Sequence, residues 1–177
     1  MDSGAAKLRL ARGIEDVPAI AELHADNWRK TYAGIMPAEY LDNQIDKERV
    51  EVWTQRLGDD FDSWVVLMLE DDMGRLVGFT SLMVDSAGDN YLENLHVRSG
   101  QQSRGYGKLL ISEARKTAAK LAPGKRMYLW VAIANVAADK FYARELGRKE
   151  DTMMHAFPYG CAIEVARYVW DPLEGPE

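Results

Sequence analysis

The chain has one cysteine and three histidines among its 177 residues. A single cysteine, Cys161, cannot form an internal disulfide. His24, His96 and His155 show no ligand spacing with one another or with Cys161, so the sequence predicts no metal site. No apolar stretch approaches the roughly 20 residues that cross a bilayer, and the first residues lack the apolar segment of a secretory signal. We therefore expect a cytoplasmic protein without membrane contact.

The composition is that of a soluble globular protein, with 47% hydrophobic and 28% charged residues. The length suits one domain spanning residues 1–177, with frayed ends at about 1–6 and 172–177. A net charge of −6 disfavours nucleic-acid binding and slightly favours cationic small molecules or basic peptide ends.

The apolar pattern alternates between strand and helix periods. Strands are predicted at residues 8–12, 64–69, 76–84, 91–97 and 127–131, with a terminal hairpin that turns near residues 158–160. Helices are predicted at residues 16–32, 40–53, 105–121 and 135–146, and His24 falls on the apolar side of the first as a core-edge histidine. This order predicts a single α/β (α+β) domain with a mixed sheet and about four helices.

The segment QQSRGYGKLL joins the strand at 91–97 to the next helix. A helix N-terminus offers unpaired backbone N–H groups and a positive dipole end, which favour an anion. We expect Gly105 and Gly107 to permit unusual φ and ψ angles there. A Rossmann fingerprint would need glycine at Leu110, and a Walker A motif would need glycine at Gln102, so neither nucleotide motif fits.

Two motifs resemble those of the GCN5-related N-acetyltransferases (GNAT). The first is Q-S-R-G-Y-G, residues 102–107, which follows Leu95-His-Val97 as the family's Q/R-x-x-G-x-G/A motif follows a strand ending in L-x-V. The second is N-x-x-A-x-x-F-Y, residues 135–142. One departure is that Tyr142 precedes Gly147 by five residues instead of four, which puts the register after Tyr142 in question.

The resemblance implies a mostly antiparallel sheet in which two central parallel strands splay apart around acetyl-CoA. The loop would bind the pyrophosphate and the strand edge the pantetheine arm. The residues assigned to cofactor binding are Leu95, His96, Val97, Gln102, Ser103, Arg104, Gly105, Tyr106, Gly107, Lys108, Asn135, Ala138 and Tyr142. Asn135 is also expected to serve as a helix N-cap.

The chemistry of acetyl transfer to an amine requires a base, an oxyanion site and an acid. YLENLHV resembles a strand of polyamine acetyltransferases, so Glu93 is our candidate base, through water, on the same strand face as Tyr91, Leu95 and Val97. A backbone N–H of Leu95 or Val97 would meet the oxyanion. Tyr142 matches the family's general acid, which protonates the departing thiolate.

The acceptor is expected to be a small-molecule or peptide amine: a small amine, a polyamine, an amino acid or a peptide N-terminus. In this family the first helices and the last hairpin shape its site, which here assigns Trp28, Tyr32, Ile35 and Phe157. Two alternatives stay open, a non-catalytic acyl-CoA-binding regulatory module and a nucleotide-binding α/β enzyme. Dimers are common in the family, so a homodimer is among the expectations.

Overall fold

The structure is a computed structural model that describes residues 6–157 and 160–173. Its elements in chain order are β1 (Lys7–Leu10), α1 (Val17–Thr31), α2 (Ala38–Asn43), α3 (Ile45–Leu57), β2 (Val65–Glu70), β3 (Leu76–Val84), β4 (Asn90–Val97), α4 (Tyr106–Leu121), β5 (Met127–Ala132), α5 (Val136–Arg144), β6 (Arg148–Ala156) and β7 (Ala162–Trp170). Short 3₁₀ helices occupy Ile14–Asp16 and Phe61–Ser63. Part of the predicted turn, Pro158 and Tyr159, lies outside the described residues.

The seven strands form one sheet in the order β1-β2-β3-β4-β5-β7-β6. β4 and β5 are parallel, while every other neighbouring pair is antiparallel. The predicted fold class, a mixed and mostly antiparallel sheet with two parallel central strands, is confirmed. The second predicted helical segment is divided into α2 and α3.

The helices cover both faces of the sheet. α1 and α3 pack on one face, where Ile20 and Trp53 contact a core that includes Phe79. α4 and α5 pack on the other, where Ile111 and Tyr142 join a second core. Within the described residues, no helix is long and apolar enough to span a membrane.

A β-bulge interrupts β4 near its middle. Ser81 lies opposite Asn94 and Leu82 opposite Leu92, so Glu93 is the extra residue of the pair. A bulge reverses the alternation of side chains beyond it. Leu92 and Leu95 therefore both contact the α4 side of the sheet.

This bulge corrects one sequence prediction. Tyr91, Glu93, Leu95 and Val97 were expected on one strand face because strict alternation was assumed. Leu95 and Val97 instead pack with Leu110 of α4, whereas Glu93 binds Arg56 of α3 on the opposite face. The family motif alone did not reveal the extra residue.

The register after Tyr142 is set by the turn that ends α5. Leu146 adopts φ 63°, and Gly147 donates its N–H to the Tyr142 carbonyl at 3.0 Å. A Cβ on Gly147 would lie 2.6 Å from the Trp170 ring. The extra residue is thus accommodated by a left-handed Leu146, and Gly147 lets the chain pass close to β7.

Asp16 lies at the N-cap position of α1 but does not cap the helix through its side chain. Its carboxylate instead accepts bonds from Arg9 at 2.7 and 2.8 Å and from the Arg12 backbone N–H at 2.8 Å. The predicted helix start is therefore correct, while this carboxylate ties β1 to α1.

Candidate active site

A cleft opens where β4 and β5 separate. Within the described residues the two strands pair only at Asn90 with Met127 and at Tyr91 with Tyr128. Beyond these pairs a cavity of about 690 Å³ lies between them, walled also by α1, α4, α5 and the loop before α4. The predicted splay of the parallel strands is thus present.

The edge of β4 faces this cleft with its backbone. Arg98 donates its N–H to the Val77 carbonyl at 2.7 Å, so the backbone polar groups of Arg98 face β3. Since alternate residues of a ladder direct their polar groups to opposite sides, Leu95 and Val97 direct theirs toward the cleft. The Val97 carbonyl accepts a bond from Asn27 Nδ2 at 3.0 Å, while the two N–H groups point into the space between the strands.

The loop before α4 has the geometry of an anion site. Ser103 and Gly105 have φ of 66° and 82°, and Gln102 Oε1 accepts the N–H of Gly100 at 2.8 Å. The first N–H paired inside α4 is that of Leu109, which donates to Gly105 at 2.9 Å. The N–H groups of residues 106–108 precede it without a helical partner. A phosphate-bearing ligand fits this helix end.

Gly107 has a different role from the one predicted. It lies inside the helix and has no positive φ. A Cβ there would lie 3.2 Å from Cζ of the Phe141 ring, tighter than ordinary van der Waals contact. The glycine is therefore needed for the approach of α4 to α5 across the cleft, and only Gly105 is needed for a left-handed backbone.

α5 and its N-cap contribute several residues to the wall of the cleft, among them Asn135 and Tyr142. Asn135 caps the helix, its Oδ1 accepting the Ala138 N–H at 3.2 Å, as predicted for the N-cap. Tyr142 is 7% exposed, and its ring contacts those of Tyr168 and Trp170 at 5.8 and 5.9 Å. Burial raises the pKa of Tyr142 well above its usual value, and Tyr32 adds to the shift. The phenol therefore keeps its proton at neutral pH.

A second cavity of about 330 Å³ lies on the α3 side of β4. It is walled by α1, α2, α3, β6 and β7, and Phe157 and His155 belong to its wall. Trp28, Tyr32 and Glu93 line both this cavity and the cleft. The two spaces therefore meet at these side chains.

Arg56 of α3 holds Glu93 at this junction. Its Nη2 donates to Glu93 Oε1 at 2.8 Å, and its Nη1 forms an ion pair with the other carboxylate oxygen. Nη1 also donates to Asn94 Oδ1 at 3.1 Å. The guanidinium lies 5.1 Å from the Trp53 ring centroid and 4.4 Å from that of Trp64, so two aromatic faces fix it.

His96 and His24 form a neutral pair beside the cleft. Their ring centroids are 4.6 Å apart, and Trp53 Nε1 donates to His24 Nδ1 at 3.0 Å. Burial lowers the pKa of His96 to about 4 and that of His24 well below its usual value. His24 is thus the hydrogen-bonded core histidine that the helical pattern predicted.

Comparison with known proteins identifies the family to which this fold belongs. The sequence model of the acetyltransferase (GNAT) family matches residues 18–147. The chain is a member of the GNAT acetyltransferase family. The predicted enzyme class, an N-acetyltransferase, and the predicted acetyl donor, acetyl-CoA, are confirmed.

Three relatives illustrate the similarity. A protein of Bacillus subtilis (strain 168), named uncharacterized N-acetyltransferase YuaI, is 29% identical over 123 residues, which cover 67% of each chain. The PaiA N-acetyltransferase of Thermoplasma acidophilum, solved with coenzyme A, has a TM-score of 0.72 at 23% identity, covering 90% of this chain and 98% of that one. A point mutant of the spermidine N-acetyltransferase SpeG of Vibrio cholerae has a TM-score of 0.68 at 19% identity, covering 94% and 93%.

Most side chains assigned from the sequence lie together in this GNAT domain. Those that line the cleft are Leu95, His96, Val97, Gln102, Ser103, Gly105, Gly107, Lys108, Asn135, Ala138 and Tyr142, with Glu93, Trp28 and Tyr32 at the junction. Arg104 and Tyr106 are outside the lining of the cleft, and Tyr106 packs with Leu110. Ile35 lines neither space and packs against Ile163.

The residues of the site that the sequence reasoning missed include Asn27, Arg49 and Arg56. None of them belongs to a motif. A signal existed for Arg49, because it interrupts the four-residue spacing of Ile45 and Trp53 on the buried stripe of α3. A cation inside an apolar stripe indicates a polar partner or a pocket.

Proposed function

We propose that this GNAT protein transfers the acetyl group of acetyl-CoA to a primary amine by direct attack, with Glu93 and Tyr142 as the catalytic residues. The observation that carries the proposal is the meeting of two cavities at Glu93. One space has the backbone donors that suit a pyrophosphate and an amide chain, and the other is lined with aromatic and apolar side chains. An acceptor in the second space would thus face a thioester in the first.

The fit of acetyl-CoA is supported by main-chain geometry. The open N–H groups of residues 106–108 and the left-handed Gly105 would hold the pyrophosphate. The cleft-facing groups of Leu95 and Val97 would pair with the pantetheine amides. When bound, acetyl-CoA supplies an activated acetyl thioester to the junction.

Deprotonation of the acceptor is the first requirement, since an alkylammonium has a pKa of about 10.4 and is protonated at neutral pH. The Glu93 carboxylate is fixed by Arg56 and lines both cavities, so it would receive the proton directly or through a water molecule. Arg56 acts as a positioning residue for this carboxylate.

The second requirement is to stabilise the negative charge that develops on the reacting carbonyl oxygen and on the leaving sulfur. The N–H of Leu95 or Val97 would donate to the oxygen that gains negative charge. The Tyr142 hydroxyl stays protonated and lines the cleft, so it would donate its proton toward the sulfur.

Thiol release against a panel of amines tests this function. The panel holds small amines, polyamines, amino acids and peptides with free N-termini, and thermal-shift titrations with acetyl-CoA and CoA accompany it. We expect both cofactors to raise the melting temperature and one class of amine to support thiol release. Stabilisation without turnover on any amine would favour a non-catalytic acyl-CoA-binding module. Stabilisation by ATP or NAD alone would favour a nucleotide enzyme.

Cys161 is a weaker candidate for the chemistry. It is partly buried against the cluster that contains Tyr40 and Leu41, and it lines neither space. We therefore propose direct attack without a covalent enzyme intermediate. The single domain, the cytoplasmic location and a homodimer stay predictions.

A further inference from the structure

The second cavity, lined by Trp28, Tyr32, Arg49, Arg56, Glu93 and Phe157 among others, has a balanced charge. Two carboxylates line it within the described residues, Glu48 and Glu93. Glu48 accepts a bond from Arg49 Nη2 at 2.8 Å and another from the Tyr40 hydroxyl, while Glu93 is paired with Arg56. A polycation would meet no uncommitted carboxylate here.

Arg49 has one donor, its Nε, that no described residue accepts from. The residue is 8% exposed, and its guanidinium lies 4.6 Å from the centroid of the Trp28 ring. Its Nε is buried and has no hydrogen-bond partner among the described residues. A buried donor without a partner is costly and unusual in a native structure. Since Arg49 also lines the second cavity, a ligand in that cavity is the natural acceptor for this N–H.

We propose that Arg49 binds the carboxylate of the acceptor, so that the acceptor is an amino acid. The proposal rests on the proposed function and names its substrate class. A guanidinium presents a planar fork of N–H groups that matches the two oxygens of a carboxylate. Stacking on Trp28 fixes the plane of that fork.

The position of Arg49 is consistent with an amine at the junction. Trp28 lines both spaces, and Arg49 stacks on its ring. An acceptor whose carboxylate lies at Arg49 would extend along Trp28 and place its amine near Glu93. The ammonium and the carboxylate of an amino acid add no net charge to the already neutral wall.

Other amine classes fit this wall less well. A polyamine brings two or more positive charges to a cavity whose carboxylates are already paired. A peptide N-terminus has an amide where an amino acid has a carboxylate, so it offers the unpartnered Arg49 Nε a single neutral oxygen in place of two charged ones. Spermidine, named for the Vibrio cholerae relative, is thus disfavoured here.

Matched pairs of acceptors test the inference. Initial rates give kcat/KM for tryptophan against tryptamine, phenylalanine against phenethylamine and lysine against cadaverine, with each amino acid amide as a third member. We expect the free amino acid of a pair to exceed its amine and its amide by at least about 10-fold. The Arg49→Met variant brings this ratio to about one. Arg49→Lys, which keeps the charge without the fork, gives an intermediate ratio.

The control is Arg75→Met, in the exposed turn before β3, where the arginine side chain pairs with Asp71 and with no other described side chain. It should keep the wild-type ratio. A wild-type ratio of one or less, or a ratio that Arg49→Met leaves unchanged, overturns the inference.

Failure of the proposed function has a separate signature, no thiol release with any amine. In that case calorimetric titration of wild type and Arg49→Met with the same amino acids, with CoA present, decides the inference: binding that the variant loses by about 10-fold or more supports it, and absent or equal binding overturns it. If Arg49→Met does not fold, the wild-type acceptor ratios and the Arg49→Lys variant decide in its place.

Discussion

Arg56 Nη2 donates to Glu93 Oε1 at 2.8 Å, joining the last turn of α3 to the bulge of β4. The side chains are only 16% and 26% exposed. A carboxylate held this way keeps one orientation at the junction of the two cavities. In the proposed mechanism this ion pair would position Glu93 to accept the proton of the amine, directly or through water.

Replacement of Glu93 by Gln should lower kcat/KM at pH 7 by about 10²-fold, because the amine then lacks a base while Arg56 keeps an amide partner. Part of the loss should be recovered as the pH rises toward 10, where more of the acceptor is already neutral. The pH–rate profile measures this. Glu51→Gln, on the exposed side of α3, is the control. A variant profile parallel to wild type at every pH would remove Glu93 as a base.

Replacement of Tyr142 by Phe should lower kcat by about 10²-fold and leave the affinity for CoA within about threefold. The hydroxyl has no hydrogen bond to another described residue, so its loss removes little packing. Steady-state kinetics measure kcat, and CoA titration measures the affinity. Tyr128→Phe loses a bond to Asp85 outside the cleft and should keep its turnover. An equal fall in affinity and turnover would instead make Tyr142 a packing residue.

Gly107→Ala and Gly105→Ala should each lower the unfolding free energy, for different reasons. At Gly107 the new Cβ meets the Phe141 ring, so we expect a loss of about 1–3 kcal/mol in unfolding free energy and weaker acetyl-CoA binding. At Gly105 the new Cβ meets open space, so the expected loss comes only from the strain of an alanine at positive φ. That strain costs about 1–2 kcal/mol.

A double-mutant cycle with Phe141→Leu separates these two costs. Phe141→Leu should recover part of the loss of Gly107→Ala and none of the loss of Gly105→Ala. Urea unfolding of the single and double variants measures both couplings. If the losses of unfolding free energy in Gly107→Ala and Phe141→Leu simply add in the double variant, the new Cβ and the Phe141 ring do not clash.

The histidine pair predicts a loss of stability in mild acid. Because burial lowers the pKa of His96 to about 4, the folded protein resists protonation that the unfolded chain accepts near 6.5. The resulting stability is complete above about pH 6.5 and is lost as the pH falls toward 4. For His96 the loss should reach about 2 kcal/mol at pH 5.

Urea unfolding at pH 7.5 and pH 5 checks this value. His96→Gln removes the titrating group, so the difference in unfolding free energy between the two pH values should shrink by about 2 kcal/mol. His155→Gln, on the exposed strand β6, is the control and should leave the difference as in wild type. An unaltered difference in His96→Gln would show that other groups carry the acid sensitivity.

The elements of the cofactor site were predictable because their signals are local. A strand, a turn with Gly105 and the first turn of α4 are adjacent in the chain, and the unpaired N–H groups follow from the helix start itself. The cap of α5 by Asn135 involves residues three apart. Such short-range geometry is contained in the residue pattern, which is why the strands and helices were predictable, and the two GNAT motifs within that pattern are why the acetyl donor was predicted correctly.

The lining of the second cavity was decided by tertiary structure. The bulge at Glu93 depends on the pairing of β3 with β4, and it reversed the predicted faces of Leu95 and Val97. The pair of Arg56 with Glu93 joins positions 37 apart in the chain.

The sequence by itself determined that strand, loop and helix would present main-chain donors suited to an anion, since these groups are arranged by neighbouring residues. Only the tertiary structure decided which side chains line the second cavity. Arg49 and Glu93 belong to different elements, and their place in one cavity results from the packing of α3 on the sheet. Side chains brought together by long-range packing carry no fixed spacing in the chain, so no local pattern reveals them.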